Sequence, residues 1–250
     1  MAHVDVLYVA WNRREFTTAT WAWMIAHTNW KLVNKLIVYD DGSSDGTLEF
    51  LREQTEKGKI PLRRSTRDVP IELRLSNTGS PPAIMNHYLT TAEAEFFAKI
   101  DSDIALPGSW LDRLLDVMHQ HPELDLLGME AGMVALDGRD GKNYERYDAS
   151  PCSHIGGVGL MRVSAFKSRP EIPYRGRFGF GEWQDRYEPT RAWIEPDLLV
   201  PQLDRVPTEP WASLTEEYIE NGWSRPWPKY DPDWMLPYFN WVNLEPEVTG

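Results

Sequence analysis

Residues 4–9, 35–39, 71–75 and 95–100 are short apolar runs of strand length, and helix-forming stretches separate each from the next. Strands that alternate with helices bury their faces as βαβ units, so the chain reads as an α/β fold with a mostly parallel sheet flanked by helices. The first helix is expected over residues 14–28, with Trp21, Ile25 and Thr28 along one face. A second should start at Ser44 or Asp45, either a good N-cap, and run through Leu48, Leu51 and Arg52. Pro81-Pro82 opens a third through Ile84, Met85 and Leu89. Ser109 is placed to cap a fourth, whose Trp110, Leu111, Leu114, Leu115 and Met118 make an apolar face.

The pattern fails from about residue 196, where prolines stand at 196, 201, 207, 210, 226, 228, 232, 237 and 246. This density predicts an irregular Pro/Trp-rich C-terminal extension wrapped over the domain, with one helix near residues 214–221. Residues 1–205 are therefore expected as one catalytic domain, and residues 206–250 as the extension packed on it.

Charge is distributed unevenly. The formal net charge is −12, yet residues 181–250 alone hold 14 acidic and five basic side chains. Such a tail repels a polyanion and counts against a nucleic-acid partner, although Arg63, Arg64 and Arg67 keep some basic ground in the first half. A single Cys excludes an intramolecular disulfide framework and a multi-Cys zinc module. No apolar run approaches the ~20 residues that span a bilayer, and the N-terminus has no secretory pattern. A cytoplasmic protein without a transmembrane anchor is expected; the oligomeric state is left open.

In open α/β sheets, ligands sit at the carboxyl ends of the strands. Three of the four runs deliver polar residues there: Trp11-Asn12-Arg13, Asp40-Asp41 and Asp101-Ser102-Asp103. Asp101-x-Asp103 sets two carboxylates just past a strand, close enough to share a hard divalent ion such as Mg²⁺ or Mn²⁺. Neither G-x-G-x-x-G after the first strand nor G-x-x-x-x-G-K-[ST] occurs, which excludes a dinucleotide fingerprint and a P-loop.

Val38-Tyr39-Asp40-Asp41-Gly42-Ser43-Ser44-Asp45-Gly46-Thr47 resembles the V-D-D-G-S-x-D-G-T pattern of family 2 glycosyltransferases with the GT-A fold. The likeness continues through Asn77-Thr78-Gly79 with Asn86, residues 97–103, and residues 155–162, in the family's order and spacing. It implies a Rossmann-type sheet, with residues 1–105 as the nucleotide-donor half and residues 106–205 as the acceptor and base half. It also implies a UDP-, GDP- or dTDP-sugar donor. By the match, Trp11, Asn12, Arg13, Asp40 and Asp41 would contact base and ribose. Asn77, Gly79, Asn86 and Ser102 would join the donor site, and Gly156 and Gly157 would let backbone approach the sugar. Asp101 and Asp103 would hold the metal against the diphosphate.

Inverting relatives carry a carboxylate base in a G-E-D-x-D-like segment. Here that segment is Gly181-Glu182-Trp183-Gln184-Asp185, so Trp183 replaces the usual second acid. Asp185 is preferred as the base over Glu182; the other would orient the acceptor or cap the helix. The late His that many relatives add to the metal is missing from residues 199–204, where Gln202 and Asp204 stand instead. Asp204 is the candidate third ligand, beside the bland reading of a surface acid. His154 reads as a buried structural residue ahead of a ligand contact.

The seven Trp of residues 181–250 add a sugar-facing possibility, since aromatic faces stack on sugar C–H faces. Most are expected to anchor the extension, with one or two lining the acceptor site. Removing residues 206–250 should then impair acceptor use more than donor hydrolysis. The acceptor would be a hydroxyl on a glycan, a protein, a lipid-linked sugar or a small molecule. Two alternatives are a sugar nucleotidyltransferase, which would want a Gly-rich loop after the first strand, and a non-catalytic carbohydrate-binding protein, which would leave both strand-end acid clusters without a purpose.

Overall fold

The computed structural model describes residues 4–60, 68–129, 149–151, 157–168, 191–194, 200–226 and 229, with residues 149–151 and 191–194 described by their backbone. In chain order the strands are β1 (Val4–Ala10), β2 (Val33–Asp40), β3 (Lys59–Ile60), β4 (Val69–Leu75), β5 (Phe96–Asp101), β6 (Leu126–Met129), β7 (Ala149–Pro151), β8 (Val158–Arg162) and β9 (Arg191–Ile194). The helices are α1 (Arg14–His27), α2 (Thr47–Thr55), α3 (Pro81–Leu89), α4 (Trp110–Gln120), α5 (Val163–Lys167) and α6 (Trp211–Glu220).

The sheet order is β3-β4-β2-β1-β5-β8-β6-β9-β7. The run β4-β2-β1-β5 is parallel throughout, so four carboxyl ends point to one edge. Beyond β5, β8 pairs antiparallel with both β5 and β6, and β6 pairs parallel with β9. Tyr8 at the centre of β1 lies opposite Val38 on one side and Ile100 on the other.

Alternate residues of each strand face opposite layers. Val6, Tyr8, Val38 and Ile100 bury against Trp21, Phe50, Trp110 and Leu114 from α1, α2 and α4. Leu7, Ile37, Tyr39 and Phe97 bury against Ile84, Met85 and Tyr88 of α3 and Phe166 of α5. Two covered faces explain why these strands read as continuous apolar runs rather than as alternation. Burying each such side chain contributes about 1.5–3 kcal/mol.

The structure refines three sequence expectations. Helix α2 starts at Thr47, not at Ser44 or Asp45, because Gly46 adopts φ 90° at the cap position; Asp45 Oδ1 still accepts the Thr47 amide at 3.1 Å. Ser109 precedes α4 at φ 58° and makes no side-chain cap bond. The C-terminal helix begins at Trp211 rather than near Leu214. Residues 200–206 lie along the β5–α4 loop, with Ala105 N donating to Pro201 O at 3.0 Å and Leu203 N to Asp103 O at 2.8 Å. Helix α6 then closes a third apolar cluster of Phe16, Trp23, Ala105, Leu203, Val206, Trp211 and Tyr218, with Trp223 packed against it.

Candidate active site

The β1–α1 turn carries two consecutive non-glycine residues in the left-handed region, Asn12 at φ 53° and Arg13 at φ 62°. Such a conformation costs about 1–3 kcal/mol per residue and persists only where surrounding bonds over-determine it. They do so here. Asn12 N donates to Ser43 Oγ at 2.8 Å, and Ser44 N donates to Asn12 Oδ1 at 2.8 Å. Arg14 N donates to Asp45 Oδ2 at 2.9 Å. The β1 end is thereby stitched to the loop that follows β2.

Within that loop, Asp40 is buried and its Oδ1 accepts from Gly42 N at 3.2 Å and Ser43 N at 3.0 Å. Asp40 Oδ2 is buried and has no hydrogen-bond partner among the described residues. Asp41 Oδ1 accepts the Thr78 amide at 2.8 Å. Gly42 sits at φ 83°, and a Cβ there would come within 2.8 Å of Asn77 Oδ1. Gly79, at φ 62°, turns the chain toward α3, on which Asn86 lies half-buried. Trp11 is half-buried at the same edge.

At the end of β5, Lys99 Nζ donates to Asp101 Oδ1 at 2.5 Å. The Lys99 side chain is 2% exposed and that of Asp101 35%. Asp101 Oδ2 accepts no hydrogen bond among the described residues and faces Gly157, where a Cβ would stand 3.0 Å from it. Ser102 turns inward: its amide donates to Val9 O, its carbonyl accepts from Thr20 Oγ1, and its hydroxyl is buried. Asp103 Oδ2 accepts from Arg13 Nη1 at 3.0 Å and Gln202 Nε2 at 3.2 Å.

Asp204 reaches this group from the 200–206 segment. Its Oδ2 lies 3.7 Å from Arg13 Nη1 and accepts from Ser224 Oγ at 2.8 Å, while Lys229 Nζ donates to its carbonyl at 3.0 Å. Asp204 Oδ1 is buried without a partner among the described residues. Burial, then the neighbouring Asp103 charge, pushes the Asp204 carboxyl up to about 6 against the pull of Arg13. Burial also raises Asp101, partly offset by Lys99. Burial alone would lower the Arg13 pKa, but the Asp103 and Asp204 charges outweigh it and keep the guanidinium charged.

The structure thus gathers Asn12, Asp40, Asp41, Asn77, Asp101, Asp103, Asp204 and Gly157 along one edge. Arg13, expected at base and ribose, pairs with Asp103 at 3.0 Å and lies 3.7 Å from Asp204 at the same edge. Gly156, Glu182 and Asp185 lie outside the described residues, as do His154, Trp183, Trp227, Trp234 and Trp241. Sequence reading passed over Lys99. Its signal was visible: a lysine inside the buried run Phe96-Phe97-Ala98-Lys99-Ile100 needs a partner.

Among the described residues, no group of three or more His, Cys, Asp or Glu forms a metal cage. The donor chemistry still fits a hard divalent ion. The Asp101 side chain is 35% exposed, and its Oδ2 lies so close to Gly157 that a Cβ there would stand 3.0 Å from it, so residue 157 must be glycine for the carboxylate to sit where it does. Mg²⁺ and Mn²⁺ sites of this kind use one or two carboxylates and take their remaining ligands from phosphates and water.

Residues 5–130 match the family model described as Glycosyl transferase family 2. No curated protein sequence matches the chain. Among solved structures, the fold is similar to Pyrobaculum calidifontis mannosyltransferase PcManGT in complex with GDP-Man and Mn²⁺, with TM-score 0.60, 15% identity, 97% of this chain covered and 70% of that one. It is also similar to S. aureus TarS 1-349 in complex with UDP-GlcNAc, with TM-score 0.57, 16% identity and 80% of this chain covered. The chain spans 58% of the length of that TarS fragment. A third is glucosyl-3-phosphoglycerate synthase from Mycobacterium tuberculosis in complex with Mn²⁺, UDP-Glc and phosphoglyceric acid, with TM-score 0.53, 12% identity, 92% of this chain covered and 88% of that one. At these identities the likeness is one of fold, that of the GT-A α/β domain. The family model covers 126 of the 250 residues, including β1, β2, β5 and the acids at their ends, so the chain belongs to glycosyl transferase family 2.

Proposed function

We propose that this protein transfers a sugar from a nucleoside-diphosphate donor to a hydroxyl acceptor, with a divalent ion at Asp101 and Asp103 and with inversion at the anomeric carbon. The observation that carries the reading is the convergence of Asp41, Asp101 and Asp103 on one sheet edge, with Asp101 Oδ2 close against Gly157. Structures of similar fold are complexes with UDP-GlcNAc, with GDP-Man and Mn²⁺, and with UDP-Glc and Mn²⁺.

In this reading the rigid loop of Asp40, Asp41 and Gly42, with Trp11, Asn12 and Asn77, receives the nucleoside. Asp40 holds the loop closed through Gly42 and Ser43, and Asp41 is oriented by Thr78. Gly79 and Asn86 join the donor site, and the glycines at 156 and 157 would let backbone approach the sugar. When bound at Asp101 and Asp103, Mn²⁺ or Mg²⁺ supplies positive charge that offsets charge growing on the departing diphosphate. Asp204 completes the acid group from the C-terminal side. The acceptor oxygen forms its bond to the anomeric carbon as the bond to the diphosphate oxygen breaks, and a carboxylate takes the hydroxyl proton. Asp185 is the preferred base and Glu182 the alternative.

The acceptor is a neutral or weakly charged hydroxyl compound, since a net charge of −12 disfavours a polyanion. No helix among the described residues is long and apolar enough to cross a membrane.

The test is nucleotide release from UDP-glucose, UDP-GlcNAc and GDP-mannose with Mn²⁺ or Mg²⁺. Asp101→Asn should lower metal-dependent turnover by about 10²–10³. Full turnover in that variant, or no release from any donor by the wild type, would overturn the reading. Asp185→Asn should keep donor binding and lose transfer; a fully active variant moves the base to Glu182.

A further inference from the structure

Lys99 is a charged amine inside a central strand, and burying such a group is costly unless a partner compensates it. Its position two residues before Asp101 puts both on one face of β5. There its Nζ donates to Asp101 Oδ1 at 2.5 Å, while Oδ2 lies close against Gly157, where a Cβ would stand 3.0 Å from it. Arg13 does the same for Asp103 from the other side, and its Nη1 also lies 3.7 Å from Asp204. Two fixed cations thus face three carboxylates, and the acid pair at the end of β5 is nearly neutralised before any ligand arrives.

We propose that Lys99 is a positioning residue for the donor site, which together with Arg13 clamps the two carboxylates so that a divalent ion binds weakly by itself and tightly only with the donor's diphosphate. The inference rests on the donor and metal reading given above. Fixed positive charge a few ångströms away repels a divalent cation, and the anionic diphosphate offsets that repulsion while completing the ion's oxygen shell. The clamp also fixes the Asp101 carboxylate in one orientation, so it needs no reorganisation when ion and nucleotide arrive.

Mn²⁺ binding followed by electron paramagnetic resonance, without nucleotide and with saturating UDP or GDP, tests this. Wild-type protein should bind Mn²⁺ at least about tenfold more tightly with nucleotide than without. Lys99→Met should tighten binding of Mn²⁺ alone by about tenfold, whereas Lys99→Arg, which keeps the charge, should stay within about threefold of wild type. Arg13→Gln carries the same expectation through Asp103 and serves if Lys99→Met does not fold by circular dichroism. Unchanged binding of Mn²⁺ alone in Lys99→Met, or an equal tightening in Lys99→Arg, overturns the clamp while leaving the donor reading intact. Wild-type protein that takes up no Mn²⁺ even with either nucleotide overturns the metal reading, and the clamp with it.

Discussion

Gly42 shows how single residues set the shape of the nucleoside loop. Its φ of 83° and the 2.8 Å approach a Cβ would make to Asn77 Oδ1 are separate constraints. Gly42→Ala should therefore cost about 1–2 kcal/mol for the left-handed backbone, plus a steric part. Adding Asn77→Gly should recover the steric part alone, as read by denaturant unfolding of the single and double variants. Complete recovery would mean that the backbone conformation is not strained.

Asp5 makes a different prediction. It is fully buried on β1 and accepts from Asn34 Nδ2 at 2.9 Å and the Tyr88 hydroxyl at 3.1 Å. Burial raises its carboxyl more than Asn34 and Lys35 lower it. The folded state therefore holds this proton to higher pH than the unfolded chain does, and stability falls as pH rises from about 4. Asp5→Asn lacks the ionisation, so its Tm should gain on wild type as pH rises above about 4. A difference independent of pH would show that Asp5 is not titrating there.

The acids were readable at this scale because strand-end position alone makes Asp101 and Asp103 informative. The destination of Arg13 was not, because it depends on two left-handed residues held by Ser43 and Ser44, which no local pattern announces.

At the scale of elements, the parallel strands were legible because β1, β2 and β5 are apolar on both faces and the helices between them carry their own apolar stripes. β6 and β8 were not: they are four and five residues long, and their pairing with each other and with β5 is decided by distant chain. Helix α6 and an anchoring role for its tryptophan were anticipated; the particular residues it packs against were not. Trp211 stacks edge-on to Phe16 at 5.8 Å and lies 6.0 Å from Trp23, and the Tyr218 hydroxyl bonds to Glu15. This is core packing beneath the Asn12–Arg13 turn, while Ser224 and Lys229 hold Asp204. Trp211→Ala should cost about 3–5 kcal/mol. Removing residues 206–250 should abolish donor binding together with acceptor use, measured as nucleotide affinity by calorimetry. A truncated chain that still binds nucleotide normally would return the extension to the role first expected of it, in which its loss impairs acceptor use more than donor use.

For the whole molecule, the bulk charge of −12 bears on the acceptor and says nothing about which acids hold the donor. What matters is local: Lys99 and Arg13 face Asp101, Asp103 and Asp204 inside a few ångströms, where screening by salt is weak. The same balance predicts how the fold responds to ligands. A nucleotide that binds only the native state stabilises it by about 2.7 kcal/mol at a hundred times its Kd, a Tm rise of about 5–10 °C for a chain of this size. UDP or GDP with Mn²⁺ should produce that rise, and Mn²⁺ alone should move Tm by less than about 1 °C, because Lys99 and Arg13 already offset the charge of the two carboxylates that would hold it. In Asp101→Asn the nucleotide should act equally with and without Mn²⁺. A large shift from Mn²⁺ alone in wild-type protein would mean that the acid cluster forms a complete cation site without the donor, and that Arg13 leaves Asp103 and Asp204 when the ion binds.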